Sequence, residues 1–527
     1  MHVPLLVNDF LQRAATVYAD KTAVVDGPLR LTYGDLQRRV HRLANALREI
    51  GIRKGDRVCI LSPNSHFFLE SFYGTSLIGA VLVPLNYRLV AADHEYILNH
   101  AGVRAVLVDA EYTETVDAIR PRLTTVEHWI VAQDGGAAAP SGWTDWESWI
   151  GKAADAAPAP VEVDENDLVS INYTSGTTAR PKGVMLTHRN CTINAYNMIV
   201  HLGIRHDDVE LWTLPMFHCN GWGGVYALTG VGGTHVILRS IDAARIHELI
   251  AAEGVTFACM APAVLRTILD YPDRAQHDIR TRPRFTVAGA PPPAAFIERL
   301  ERELGWSFLE IYGLTETAPL LTVNHPDFHT AADDWARRSR AGVPGIGVSL
   351  RVVDDDGNPV AQDDHTVGEV VARSNVVFAG YWQQPEETSQ AIRDGWFHAG
   401  GLGGWDEHGS IDIVDRKKDV IISGGENISS PEIEDALYRH PAVEECAVIG
   451  VPHEKWGETP KALVVLRAGA RASPDELVAF CREHLAHFKC PSSIEIIDAL
   501  PRTATGKLQK FKLREQYWST RGGRRVN

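Results

Sequence analysis

A repeated alternation of helical and strand-like patterns constrains the fold of this chain most strongly. Residues 33–50 have the period of an amphipathic helix, and residues 56–61 follow as a buried strand. The end of another helix at 96–101 precedes a strand at 105–108. This alternation predicts an α/β fold with largely parallel sheets covered by helices. Residues 135–158, rich in Gly, Ala and Pro, are predicted to form a surface excursion from it.

The chain is long enough to require more than one domain. Its 527 residues exceed what a single hydrophobic core supports. A strand-like run at 410–414 leads into the charged stretch 415–419, and a compact pattern follows, with helices at 430–438 and 474–484 and strands at 446–450 and 462–466. We predict a large N-terminal domain over residues 1–416, with mixed or parallel sheets and flanking helices. A small α+β C-terminal domain is predicted over residues 417–527.

Charge and cysteine content narrow the class of protein. The formal net charge is −15, from 67 acidic and 52 basic residues. This balance argues against nucleic acid as a partner, because non-specific binding to phosphates needs basic surface. The seven cysteines form no Cys-x-x-Cys pair, which is typical of free thiols in a reducing cytosol and not of structural zinc. With no signal peptide pattern and no bilayer-length apolar run, we expect a cytoplasmic protein without membrane insertion.

The loop at 173–183 is the strongest local signal, with the sequence Tyr-Thr-Ser-Gly-Thr-Thr-Ala-Arg-Pro-Lys-Gly. It follows a strand-like run at 168–172 and precedes a helical pattern that begins near Thr187. Glycines let backbone N–H groups converge on an anion, hydroxyls add donors, and lysine adds positive charge. It is not a Walker A loop, because Lys182 lies between Pro181 and Gly183. We predict that the β- and γ-phosphates of a nucleotide are held by Thr174, Ser175, Gly176, Thr177, Thr178 and Lys182. A polar turn between strand and helix is the alternative.

Three further stretches follow in order: Glu-Ile-Tyr-Gly-Leu-Thr-Glu at 310–316, Asp-Arg-Lys-Lys-Asp at 415–419 and Pro-Arg-Thr-Ala-Thr-Gly-Lys at 501–507. Together with the loop they resemble the AMP-forming acyl-CoA synthetases of the adenylate-forming superfamily, and fatty acyl-CoA ligases in particular. The resemblance covers nearly the whole chain. It implies a C-terminal domain that is mobile, and the use of ATP, Mg²⁺ and coenzyme A.

The resemblance implies roles for residues of the nucleotide motif. Tyr312, followed by Gly313, would stack on adenine, Thr315 would hydrogen-bond the α-phosphate, and Glu316 would ligate Mg²⁺. These roles suit the chemistry, because a flat π surface matches a flat base and a hard oxygen ligand matches a hard cation. The segment Gly289, Ala290 and Pro291 resembles the one that lines the adenine and acyl pocket.

The C-terminal motifs imply a hinge, a tunnel and a catalytic lysine. By resemblance, Arg416 would contact the ribose and Lys418 would be the pivot of domain rotation. The loop Ser-Gly-Gly-Glu-Asn at 423–427 resembles the one that lines the pantetheine tunnel, through Gly424, Gly425 and Glu426. Lys507 would stabilise charge on the carboxylate and α-phosphate during adenylation. An ammonium on a flexible stem suits that task, because domain motion can deliver and withdraw it.

The run Met-Phe-His-Cys-Asn-Gly-Trp at 216–222 resembles the entrance of the acyl pocket. His218 would lie near the reacting carboxylate, and Trp222 matches a tryptophan that gates the tunnel in a long-chain member. A packed aromatic loop with a hydrogen-bonded histidine is the alternative for both residues.

Three positions depart from the family pattern. The ribose-binding aspartate of a Thr-Gly-Asp run is replaced by Gly401, and the threonine by Ala399. In the phosphate loop, Ala179 stands where glycine is common. The phosphate, adenine, magnesium and lysine elements remain, so we expect the activity to persist with altered ribose anchoring.

Taken together, the sequence predicts an ATP-dependent carboxylic acid–CoA ligase that acts through an acyl-adenylate, with a small-molecule carboxylic acid and coenzyme A as partners. One alternative is adenylation with another acceptor, such as an amine, a carrier protein or an inorganic nucleophile. A second is a low-activity nucleotide-binding homologue without the ribose anchor, and a third is a scaffold. A homodimer is the oligomeric state we consider. The acid itself is not specified by the sequence.

Overall fold

The computed structural model describes the chain except for residues 134–137, 175–179, 290–291, 326–332, 417–420, 424–425, 454–455, 486, 503–507 and 519–527. The side chains of residues 415, 416, 422, 426, 427, 457 and 488 also lie outside the description.

The described strands, in chain order, are β1 (Thr22–Asp26), β2 (Leu29–Thr32), β3 (Arg57–Leu61), β4 (Val81–Leu85), β5 (Val103–Asp109), β6 (His128–Ala132), β7 (Thr144–Asp145), β8 (Leu168–Thr174), β9 (Lys182–Thr187), β10 (Val209–Trp212), β11 (Thr234–Ile237), β12 (Phe257–Met260), β13 (Arg284–Val287), β14 (Ser307–Gly313), β15 (Leu320–Asn324), β16 (Val343–Pro344), β17 (Val348–Val353), β18 (Gly368–Ser374), β19 (Gly380–Tyr381), β20 (Ile392–Arg393), β21 (Trp396–Trp405), β22 (Ile411–Arg416), β23 (Ile421–Ser423), β24 (Glu426–Ile428), β25 (Val443–His453), β26 (Gly457–Leu466) and β27 (Ser493–Ile496).

The described helices are α1 (Asn8–Val17), α2 (Tyr33–Glu49), α3 (His66–Ser76), α4 (Ala91–Ala101), α5 (Thr113–Asp117), α6 (Trp146–Lys152), α7 (His188–Leu202), α8 (Cys219–Trp222), α9 (Gly224–Val231), α10 (Ala243–Glu253), α11 (Pro262–Leu269), α12 (Ala294–Arg299), α13 (Trp335–Arg338), α14 (Pro385–Ala391), α15 (Ser430–Tyr438), α16 (Pro474–His484) and α17 (Lys510–Trp518). None of the helices in the described part of the chain is long and apolar enough to cross a membrane.

Two large sheets form the N-terminal part of the molecule. The first has the order β16-β15-β14-β13-β12-β10-β11-β1-β2, and the second has the order β19-β9-β8-β4-β3-β5-β6-β7. Their inner strands pair in parallel, whereas the pairs β14–β15 and β8–β9 are antiparallel. Residues of both sheets and of α2, α3, α7 and α9 meet in one large apolar core. The predicted α/β class with mixed and parallel sheets is confirmed.

Helix α2 shows how local sequence sets these elements. Thr32 and Asp35 form a capping box, in which each side chain accepts a hydrogen bond from the other residue's backbone N–H. The leucines and valine that recur every three or four residues place one apolar face against the core, where Leu36, Val40, Leu43 and Leu47 are buried. The helix was predicted over residues 33–50, and in the structure it ends one residue earlier, at Glu49.

Two smaller sheets follow. One contains β17, β18, β20, β21 and β22, and the last contains β23 to β27. The last sheet and helices α15 to α17 form the small C-terminal domain, with an apolar core of its own around Ile433 and Val448. Strand β22 of the third sheet ends at Arg416, and β23 of the last sheet begins at Ile421. Helices α15 and α16 match the predicted bounds 430–438 and 474–484.

The prediction that residues 135–158 form a surface excursion is wrong in part. It contains β7 and α6, and its apolar side chains lie in the cores: Trp143 is 7% exposed and Trp146 and Ile150 are each 1% exposed. The Gly, Ala and Pro content concealed these elements, because only a few large side chains anchor them.

Candidate active site

The phosphate loop connects two antiparallel strands. Thr174, the last residue of β8, pairs with Lys182, the first residue of β9. Helix α7 begins only after β9, where the side chain of Thr187 caps its N-terminus. The sequence pattern did not indicate β9, which lies between the loop and the predicted helix. Ser175, Gly176, Thr177 and Thr178 lie outside the described residues.

Lys182 has two neighbours that the sequence did not indicate. Its ammonium forms an ion pair with the carboxylate of Glu387 in α14. It also lies over the ring of Tyr381, with Nζ 5.1 Å from the ring centre, a distance suited to a cation–π contact. The lysine side chain is only 18% exposed, so its charge is held in place at the mouth of the phosphate loop.

Tyr381 joins the phosphate loop to the nucleotide motif. Its hydroxyl donates a hydrogen bond of 2.9 Å to Oε1 of Glu316. Burial raises the pKa of Tyr381, and the negative charges of Glu316 and Glu387 raise it further, so the hydroxyl keeps its proton. The backbone supports the same link, because Phe378 N–H donates to the Glu316 carbonyl at 2.9 Å. Strand β19 thus bridges β9 and the motif.

The nucleotide motif occupies the end of β14 and a short 3₁₀ turn, Thr315–Thr317. Thr315 is buried, whereas Tyr312 and Glu316 are half-buried. Tyr312 packs against the main core and against the core of the third sheet. Glycine is required after it, because a Cβ on Gly313 would stand 1.7 Å from the Pro319 carbonyl oxygen. Gly289 lies just beyond β13 and is exposed.

The segment 216–222, predicted to form the entrance of the acyl pocket, adopts an unusual backbone. Cys219, Asn220, Gly221, Trp222 and Gly223 all have positive φ, between 48° and 79°. We call residues 219–223 the left-handed turn. Such a conformation costs roughly 1–2 kcal/mol for most residues other than glycine and asparagine. Strain of this kind persists only where the surroundings hold it, and it concentrates at functional sites.

Of the two predicted acyl-side residues, His218 directly precedes this turn and Trp222 lies within it. His218 is half-buried, and its carbonyl accepts a hydrogen bond from the Trp222 N–H at 3.3 Å. Trp222 is 4% exposed and belongs to the main core. The turn also contacts the nucleotide motif, since Sγ of Cys219 lies 3.8 Å from the Thr315 carbonyl oxygen. The structure therefore brings the acyl segment and the motif together.

A magnesium ion fits the donors present. Among the described residues, no group of three or more His, Cys, Asp or Glu side chains could hold a metal, so an ion here would also need ligands from the nucleotide. Mg²⁺ in nucleotide sites is bound by one or two carboxylates and by the phosphates themselves. Glu316, with its carboxylate oriented by Tyr381, matches that requirement.

Several predicted residues fall outside the described part of the chain: Ala290, Pro291, Lys418, Gly424, Gly425 and Lys507, together with the side chains of Arg416 and Glu426. Tyr381 and Glu387 are the residues that sequence reasoning missed. Their only signal was an aromatic pair, Tyr381 and Trp382, followed by a Pro-Glu-Glu helix start, and neither indicates nucleotide chemistry by itself.

Comparisons with known proteins identify the class. The model of the AMP-binding enzyme family matches residues 11–382, and that of the AMP-binding enzyme C-terminal domain matches residues 432–507. The chain belongs to this family of adenylate-forming enzymes. Within it, the chain is an AMP-forming ligase of the acyl-CoA synthetase type, as the relatives below indicate.

Two curated relatives cover almost the whole chain. A 4-hydroxybutyrate–CoA ligase of Metallosphaera sedula is 37% identical over 97% of this chain and 94% of its own length. A long-chain-fatty-acid–CoA ligase of Thermus thermophilus is 38% identical, over 98% and 96%. Both are named as CoA ligases, although their acids differ in size.

Solved structures agree with the family assignment. An anthranilate CoA ligase in complex with anthranoyl-AMP superposes with a TM-score of 0.92 and 29% identity, over 99% of this chain and 98% of that one. An amide bond synthetase from Marinactinospora thermotolerans superposes with a TM-score of 0.85 and 26% identity, over 97% and 100%. The fold therefore occurs in enzymes with different acceptors.

Proposed function

We propose that this enzyme joins a small-molecule carboxylic acid to coenzyme A, with ATP cleaved to AMP and pyrophosphate through an acyl-adenylate. The observation that supports this most directly is the chain of contacts from Lys182 through Tyr381 to Glu316. It places a cation beside the phosphate loop and a carboxylate beside the nucleotide motif, on two neighbouring strands and one short turn. This is the arrangement that binding of a metal-bound triphosphate requires.

In the first step the acid's carboxylate oxygen attacks the α-phosphorus, and the bond to the β-phosphate oxygen breaks to release pyrophosphate. Lys182 would hold the departing phosphates, Thr315 would donate to the α-phosphate, and Tyr312 would stack on the base. Mg²⁺, held by Glu316 and the phosphates, would supply charge neutralisation. Lys507 would stabilise the charge that develops between carboxylate and phosphate. No protein nucleophile is involved, which agrees with the burial of all seven thiols.

In the second step the small domain would turn about Lys418, within a boundary that we propose at residues 416 and 417. Rotation would withdraw Lys507 and bring the loop 423–427 to the pantetheine arm. The coenzyme A sulfur would then attack the acyl carbon, and AMP would leave. One contact suits such a motion: the Glu445 carboxylate of the small domain binds Arg266 of the large domain at 2.9 Å and Arg502 at 3.1 Å. Because Arg502 belongs to the same domain as Glu445, the carboxylate would keep one partner when rotation separates it from Arg266.

A different acceptor is the second candidate, and the amide bond synthetase among the structural neighbours favours testing it. An AMP-release screen over aliphatic and aromatic acids, with and without coenzyme A, separates the two. Release that depends on coenzyme A and yields a thioester supports the proposal. Release that depends instead on an amine or a carrier protein would assign the second function.

The Lys507→Ala variant tests the two-step assignment. We expect adenylation, measured by ATP–pyrophosphate exchange, to be nearly abolished. Thioester formation from a supplied acyl-adenylate should remain, because Lys507 would act only in the first step. An equal loss of both half-reactions would contradict domain alternation.

We also propose a cytoplasmic location and a homodimer. Cell fractionation tests the location, since some relatives are named as peroxisomal. Light scattering tests the oligomeric state.

A further inference from the structure

The left-handed turn must be held by its surroundings, because three of its five residues are not glycine. One of them, Asn220, is only 1% exposed, so its side-chain amide must find partners inside the protein. Asparagine tolerates the left-handed region better than most residues. Its amide can therefore serve as an anchor without further backbone cost.

Asn220 belongs to a closed ring of three hydrogen bonds. Ser170 Oγ donates to Asn172 Oδ1 at 2.7 Å, and Asn172 Nδ2 donates to Asn220 Oδ1 at 3.0 Å. Asn220 Nδ2 completes the ring by donating to Ser170 Oγ at 2.9 Å. Ser170 and Asn172 are 0% and 2% exposed. Each group in a ring of this kind polarises the next, so the ring fixes all three side chains.

A second buried asparagine holds the other end of the turn. Asn194 of α7 is fully buried, and its Nδ2 donates to the Trp222 carbonyl at 3.1 Å. Its Oδ1 accepts a hydrogen bond of 3.1 Å from the Leu320 N–H, at the start of β15. The side chain therefore ties the turn to the segment that directly follows the nucleotide motif.

The two anchors lead to the two nucleotide-binding segments. Ser170 and Asn172 project from the same face of β8, since side chains alternate along a strand. Two residues further on, β8 ends at Thr174, where the phosphate loop begins. Strand β15 pairs with β14, which ends in the motif that contains Tyr312. The left-handed turn is thus fastened to both sides of the nucleotide site.

We propose that Asn220 and Asn194 are positioning residues that set the acid's carboxylate against the α-phosphate. This inference rests on the proposed function. Attack in the first step requires reacting atoms about 3–3.5 Å apart, and a displacement of about 1 Å can cost roughly a hundredfold in rate. The second step begins from carboxylate and phosphate already joined, so it does not depend on their relative placement.

Asn220→Gly is the principal test, because glycine keeps the left-handed backbone and removes only the amide. We expect the rate of adenylation, measured by ATP–pyrophosphate exchange, to fall by about 10- to 100-fold, as a displacement below or near 1 Å would produce. The KM for ATP and the transfer of a supplied acyl-adenylate to coenzyme A should each stay within about twofold of wild type. Asn172→Ala, which opens the ring from β8 and leaves the turn's sequence intact, should show the same split.

Asn324→Ala is the matched control. Asn324 is also a buried asparagine that donates to two backbone carbonyls, of Arg337 and Arg340, but at the far end of β15. We expect it to lower the melting temperature without separating the two half-reactions. Unchanged adenylation in Asn220→Gly and Asn172→Ala, or an equal loss of both half-reactions, would overturn the inference. Wild-type protein that performs neither half-reaction with any acid would overturn the proposed function instead.

Discussion

The Tyr312 hydroxyl lies 2.9 Å from the position that a Cβ atom on Gly401 would occupy. Gly401 is buried in β21 and pairs with Arg416 of β22. Its φ lies outside the left-handed region, so the backbone itself accepts an L-residue. The glycine that replaces the family's ribose-binding aspartate therefore leaves room for the tyrosine hydroxyl.

We predict that Gly401→Asp tightens ATP binding fully only when Tyr312→Phe removes that hydroxyl. A carboxylate that accepts from both ribose hydroxyls gains roughly 1.5–3 kcal/mol for each bond. In the Tyr312→Phe background we expect affinity to rise by about tenfold or more, and in the wild-type background by less than about threefold. Calorimetry with ATP and AMP on the four proteins measures this. Equal gains in both backgrounds would show that Tyr312 does not oppose the aspartate.

Glu387→Gln should lower the KM for ATP by up to about fivefold. The Glu387 carboxylate is paired with Lys182, so it would compete with the phosphates of ATP for that ammonium. The Glu387 side chain is 37% exposed, and an ion pair open to solvent contributes about 0–1 kcal/mol, which sets the size of the effect. Lys182→Met should raise the same KM, and adding Glu387→Gln to it should bring no further gain. A raised KM in Glu387→Gln alone would mean that the glutamate orients the lysine for its task.

Glu316→Gln should raise the Mg²⁺ concentration needed for half-maximal adenylation, and excess Mg²⁺ should restore part of the rate. The substitution removes the negative charge and keeps a hydrogen-bond acceptor for Tyr381. Tyr381→Phe is the matched control, because it removes the 2.9 Å hydrogen bond and leaves the carboxylate. We expect a smaller shift in Mg²⁺ dependence from it. The same Mg²⁺ titration curve for Glu316→Gln and wild type would remove Glu316 from the metal site.

Glu210→Gln should make the folded protein less sensitive to alkaline pH. Glu210 lies on β10, and burial, with the charge of Asp208, raises its pKa from an ordinary 4.5 to about 8. Between those values the unfolded chain releases the proton and the folded protein retains it, so the free energy of unfolding falls as pH rises.

Urea unfolding at pH 5.5 and 8 measures this effect. We expect the wild type to lose on the order of a few kcal/mol relative to Glu210→Gln across that range. Glu407→Gln, at a side chain that is 82% exposed, should follow the wild type. Parallel pH curves for wild type and Glu210→Gln would contradict the raised pKa.

The fold could be predicted because its signals are local. The period of 3.6 residues in α2 and the apolar run in β3 reflect which side chains face the core, and the chain repeats both patterns. The nucleotide motif and the phosphate loop were also found locally, as continuous stretches. Strand β9, which follows the phosphate loop, could not be predicted because its six residues show no clear alternation of apolar and polar side chains.

The remaining site features depend on long-range contacts. Lys182 and Glu387 are separated by 205 positions and meet only because β19 pairs with β9. The positive φ of Cys219 and Trp222 could not be predicted either, since these residue types normally avoid that region. The amides that hydrogen-bond to this turn lie on β8 and α7, which a linear pattern does not connect to it.

The asparagine ring bears on attempts to change the accepted acid by grafting. A chimera that receives the segment 216–223 from a relative would inherit a turn shaped for that relative's own β8. Unless positions 170 and 172 are exchanged with it, Asn172 of this chain would face a foreign side chain at position 220. The smallest transplantable unit is therefore discontinuous, because it combines the segment 216–223 with positions 170 and 172 of β8.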